Sequence, residues 1–204
     1  MTESSLIQLY LKDANEVIAN INKNLDLNER AHLDMNAGVD SEQKTDGVEN
    51  KNEQIVIECI KDIRYLTMIC WMAGKDEKDI NLDFLSQLVQ IHDLSFTRIF
   101  NYITRTTAEG KLIVEFLKLF EIMIRNNTRI LKKFMGEEKN LSDKLQNLLN
   151  QTIHPNEDQM IRRWVLKIIY IYQINKAEFK TFSTLDYASK RSDYKKAYNF
   201  PDDV

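Results

Sequence analysis

Three histidines and two cysteines are the side chains of this 204-residue chain best suited to acid–base, nucleophilic or metal chemistry. His32 lies in a polar, acidic stretch, His92 precedes Asp93 at a predicted helix end, and His154 precedes Pro155. Imidazoles at helix ends and in turns ordinarily serve structure or face water. Cys59 and Cys70 occur in the apolar contexts Val-Ile-Glu-Cys and Met-Ile-Cys-Trp. Neither has a basic sequence neighbour that would stabilise a thiolate. On one helix, eleven residues separate them by roughly 16 Å, far beyond the reach of a disulfide at about 7 Å. Both read as small buried hydrophobes in a reducing compartment. The sequence holds no His-x-x-x-His, Cys-x-x-Cys, Gly-x-Ser-x-Gly or P-loop pattern. It predicts no catalytic residue, no metal and no cofactor, and hence a non-enzymatic protein.

Charge offers a second kind of chemistry. The formal net charge is −3, from 28 Lys and Arg against 31 Asp and Glu. Residues 1–100 hold 10 basic and 18 acidic side chains; the remainder holds 18 basic and 13 acidic ones. The basic half ends in a segment that interleaves cations with aromatic rings: Lys190, Arg191, Tyr194, Lys195, Lys196 and Tyr198. Cations neutralise phosphates and aromatic faces stack on unpaired bases, so these six are the candidate nucleic-acid contacts. The competing reading is a terminal helix from about Ser183 with a solvated lysine face, and Asp186 and Asp193 dilute its field.

Positioning any of these groups requires a core, and 43% hydrophobic residues can build one. Only 5 Gly and 2 Pro are present, which argues against turn-rich β folds. Leu6, Ile7, Tyr10, Ala14, Val17, Ile18, Ile21 and Leu25 recur every three or four residues, predicting an N-terminal helix over 1–25. Residues 26–52 lose that period and carry seven acids against three bases, predicting a flexible acidic loop. From 53 to 200 the pattern is nearly continuous helix, with 201–204 as a tail. The run from Trp164 to Ile174 is apolar nearly all round and predicts a central buried helix. Its β-branched content also permits a strand, but no second strand candidate exists to pair with it. No apolar run approaches a membrane span, and the polar start Met1-Thr-Glu-Ser-Ser is unlike a signal peptide. A cytoplasmic or nuclear protein is expected.

The chain also repeats itself. Phe116 to Phe134 overlays Trp164 to Phe182 at an offset of 48, matching Leu117 with Val165, Asn127 with Asn175 and Leu131 with Phe179. Tyr65 to Gly74 overlays Phe116 to Arg125 at an offset of 51. A long apolar helix, a polar turn and one or two shorter helices make up each unit. This pattern resembles the armadillo- and HEAT-like helical repeats, whose period is about 40–47. The fold class is therefore all-α: a right-handed α-solenoid, or an irregular helical bundle of about 7–9 helices. The resemblance implies a scaffold or adaptor that binds another protein, such as an acidic peptide or helix, within a larger complex. If the long helices line one face, Asn126, Asn127, Arg129, Arg162, Arg163 and Lys167 are its candidate contacts. An RNA- or DNA-associated subunit is the alternative.

Overall fold

The computed structural model describes residues 3–36, 45–76, 78–105, 108–125, 127–135, 141–150 and 158–180. Among them are eight helices and no strand: α1 (Glu3–Asn36), α2 (Thr45–Asp76), α3 (Lys78–Ile91), α4 (Asp93–Ile103), α5 (Gly110–Ile124), α6 (Thr128–Met135), α7 (Leu141–Asn150) and α8 (Asp158–Lys180). The all-α class follows from the three-four spacing of apolar residues, which lets each helix bury one stripe.

Helix α5 lies at the centre. It touches α2 on one flank and α8 on the other, and α4 and α6 pack on it as well. Leu112, Ile113, Phe116, Leu117, Phe120, Met123 and Ile124 are all buried. The sequence places α8 at the centre, and the structure corrects this. Helix α8 packs on α5, α6 and α7, and leaves Trp164, Ile171 and Tyr172 only half-buried. A nearly all-round apolar composition marks both helices, but only α5 has neighbours on enough sides to use it.

Contacts between the helices give their directions. Asn22 meets Ser95, Asp26 meets Arg98 and Glu29 meets Arg105, so α1 and α4 run the same way. Asn24 bonds Asp62 while Asn28 bonds Asn52, so α1 and α2 run oppositely. Phe100 packs on Phe120 and Tyr102 on Phe116, so α4 and α5 also run oppositely. Helices α2 and α5 are therefore parallel neighbours, and Arg64 sits beside Glu115, the residue 51 positions on. Under them, Phe96, Phe100, Phe120 and Phe134 form a chain of edge-to-face ring contacts linking α4, α5 and α6. Such pairs add about 0.5–1.5 kcal/mol each beyond area burial.

The expected loop over 26–52 is largely helix. Residues 26–36 continue α1 and 45–52 open α2, while 37–44 lie outside the described residues. The buried stripe of α1 runs through Ile7, Leu11, Ala14, Ile18, Ile21 and Leu25 to Asn28. It changes from apolar to polar after Leu25, where the apolar period of the sequence ends. Asn28 is buried because its amide donates to Asn52 and its carbonyl accepts from the Tyr102 hydroxyl. Asp26 and Glu29 are held by Arg98 and Arg105 rather than by water alone.

Candidate functional site

The one stripe of α5 that reaches solvent is Lys111, Glu115, Lys118, Ile122 and Arg125. Their spacing of four, three, four and three residues places them along one side of a helix. Glu115 is nonetheless buried, as is Glu121 six residues on. An unpaired buried carboxylate costs several kcal/mol, so each must be satisfied. Glu115 accepts from Arg64 Nη2 on α2 and from Lys118 Nζ, both at 3.0 Å. Glu121, at 1% exposure, accepts two parallel bonds from Arg125, at 2.9 and 2.8 Å, and lies 3.3 Å from Lys167 Nζ on α8. One carboxylate thus ties α5 to α2, and the other ties it to α8.

These pairings shape the titration of the face. Burial alone would raise the Glu115 pKa, but hydrogen bonds and charge from Arg64 and Lys118 outweigh it and hold the group below its ordinary value. The hydrogen bond to Glu115 raises Arg64, and the bonds to Glu121 raise Arg125 despite partial burial. Both guanidiniums stay charged. Lys167 also stacks over the Trp164 ring, 4.9 Å from its centroid, and Arg163 lies one turn before it. Four cations (Arg64, Lys118, Arg125 and Lys167) therefore meet two carboxylates across α2, α5 and α8, and the exposed Lys111 and Arg163 lie one turn from Glu115 and Lys167 on their own helices. Ile122 and Leu166 supply half-buried apolar surface among them. This is a positively charged face with fixed geometry, suited to anionic groups on a partner.

The sequence-predicted contacts divide. Arg163 and Lys167 belong to this face. Arg162 is half-buried on a neighbouring stripe of α8, and Arg129 is exposed on α6. Asn127 is a correction: it is 3% exposed and caps α6, its Oδ1 accepting from the Ile130 N–H at 3.1 Å. Asn126 lies outside the described residues, as do Lys190, Arg191, Tyr194, Lys195, Lys196 and Tyr198.

Sequence reasoning missed Arg64, Lys111, Lys118 and Arg125. A signal existed, since positions 64, 115 and 163 are related by the two repeat offsets, and Lys111 to Arg125 form a charged stripe on an otherwise apolar helix. Among the histidines, His92 links the α3–α4 junction to α1 through a 2.7 Å contact between Nε2 and Asn15 Oδ1, and burial lowers its pKa. His154 lies outside the described residues, as does the His32 side chain. Cys59 and Cys70 are buried, and desolvation pushes both thiols up to about 12. Among the described residues, no three His, Cys, Asp or Glu side chains gather as a metal site. No helix there is long and apolar enough to cross a membrane. No protein-family model, no curated protein and no solved structure matches this chain.

Proposed function

We propose that the protein is a non-enzymatic helical scaffold or adaptor, a complex subunit that binds another protein through the basic face of α2, α5 and α8. The observation that carries this reading is the construction of that face. Two buried carboxylates fix Arg64, Lys118, Arg125 and Lys167 in place, so the cations are pre-arranged and lose little freedom on binding. An acidic peptide or helix is the complementary ligand. The parallel, register-matched packing of α2 and α5 supports an armadillo- or HEAT-like stack, in which neighbouring units share a core. Buried thiols with raised pKa values fit a reducing cytoplasmic or nuclear setting.

Affinity purification from the native cell with two baits tests this reading, one wild-type and one carrying Lys111→Glu and Arg163→Glu, both at exposed positions. A protein recovered with the first and lost with the second, at equal thermal stability of the baits, is the expected result. Identical recoveries would remove this face from consideration. The nucleic-acid reading draws on the same cations together with the C-terminal basic segment. It would prevail if the wild-type chain bound a single-stranded oligonucleotide with strong salt dependence while no protein was lost from the charge-reversed bait.

A further inference from the structure

Helix α2 carries a second surface that meets the basic face only at Arg64. Ile57, Tyr65, Met68, Trp71 and Met72 are large apolar residues between 38% and 49% exposed, all on the side of α2 opposite its buried stripe of Cys59, Ile63, Leu66 and Cys70. Lys61 and Arg64 are interspersed among them, and Glu58 lies at the border, accepting a bond from Gln54. The helix that stacks on α2 shows what such a side is for. On α5, Glu115 touches α2, and Leu112 and Leu119, one turn either side of it, are buried. Subtracting the offset of 51 maps Leu112, Glu115 and Leu119 onto Lys61, Arg64 and Met68. Likewise Phe116 and Met123, both buried, map onto Tyr65 and Met72. The side of α5 that carries Glu115, where Arg64 of α2 meets it, therefore corresponds to the exposed side of α2.

We propose that this edge of α2 docks one amphipathic, acidic α-helix of another protein, stacked on α2 as α2 is stacked on α5. Charge selects the occupant. Lys61 and the largely exposed Arg64, which also pairs with Glu115, stand where α5 places a leucine and Glu115, so the incoming helix carries carboxylates flanking its apolar positions. Two methionines and a tryptophan give an adaptable apolar bed for such a helix. A second copy of this chain fits poorly, because antiparallel docking about the centre of the stripe brings Arg64 against Arg64.

Trp71 provides the readout. In a Trp164→Phe background, a synthetic helix with leucines on one face and flanking glutamates is titrated against the full chain, and Trp71 emission and acrylamide quenching are followed. Saturable blue-shift and protection of Trp71 are expected, weakened at least about tenfold by Lys61→Glu or Met68→Glu. Lys111→Glu and Arg163→Glu, which change the basic face away from Arg64, are expected to leave this binding intact, so the two surfaces succeed or fail separately. Circular-dichroism melts confirm that each variant is folded. No Trp71 response, equal binding of a helix with lysines in place of the glutamates, or a dimer in sedimentation that covers Trp71 would each overturn the proposal.

Discussion

Replacing Glu121 by leucine should cost more than replacing both it and its α8 partner. Glu121 is buried and satisfied by Arg125 and Lys167. With the carboxylate gone, Arg125 can turn to water, because its side chain is 52% exposed. Lys167 cannot, since its side chain is only 16% exposed. Stranding one member of a buried pair costs about 3–5 kcal/mol, and the freedom of Arg125 places Glu121→Leu near the lower end, at about 3 kcal/mol. Lys167→Met alone leaves Glu121 with both Arg125 bonds and should cost about 1–2 kcal/mol. The double variant places two apolar side chains where the ion pair was and should fall within about 1 kcal/mol of wild type. The coupling is therefore about 3–5 kcal/mol, well beyond the roughly 0.5 kcal/mol scatter of independent sites. Urea denaturation followed by far-ultraviolet circular dichroism, with equal m-values across the four proteins, measures it. A double variant that loses the sum of the two single losses would refute the claim that this pair joins α5 to α8.

Other outcomes follow from the same packing. Phe134→Ala removes a fully buried ring in contact with Phe96, Phe100 and Phe120 and should cost about 3–5 kcal/mol in the same denaturation assay. Asn127→Ala removes the α6 cap and should cost about 1 kcal/mol, with Asn127→Ser recovering most of the loss. Because the folded-state pKa of Glu115 lies below its ordinary value of 4.5, its contribution is complete above that value and disappears as pH falls through the folded pKa. Glu115→Gln should therefore lessen the loss of stability below about pH 4.5, read as a shallower fall of melting temperature with acidification. Cys59 and Cys70 should resist a thiol-specific reagent at pH 8 in the native protein and react at the rate of unfolding when urea is added.

How much of this was legible in the sequence depends on which force fixed each element. Apolar spacing located the cores of α1, α2, α5 and α8, because a stripe of Ile, Leu and Phe has one way to be buried. It failed where burial is polar. Asn24 and Asn28 continue the α1 stripe, yet amides and acids in a row read as a loop until Asp62, Asn52, Tyr102, Arg98 and Arg105 arrive from distant segments. The same limit hid the basic face. Glu115 and Glu121 read as surface residues in one dimension, and only the approach of α2 and α8 turns them into the buried anchors that hold four of its cations. Arg163 and Lys167 were found because repeat geometry alone points to α8. Asn127 misled because a cap residue and a surface residue look alike in sequence.

The most direct test of the account asks which lysines a native partner covers. The endogenous complex and the isolated chain are acetylated briefly in parallel, and each site is quantified by mass spectrometry. Binding through α2, α5 and α8 predicts that Lys111 and Lys118 lose reactivity in the complex while Lys12 and Lys23, exposed on α1, keep theirs. Protection of Lys12 and Lys23 with Lys111 and Lys118 unchanged would contradict it.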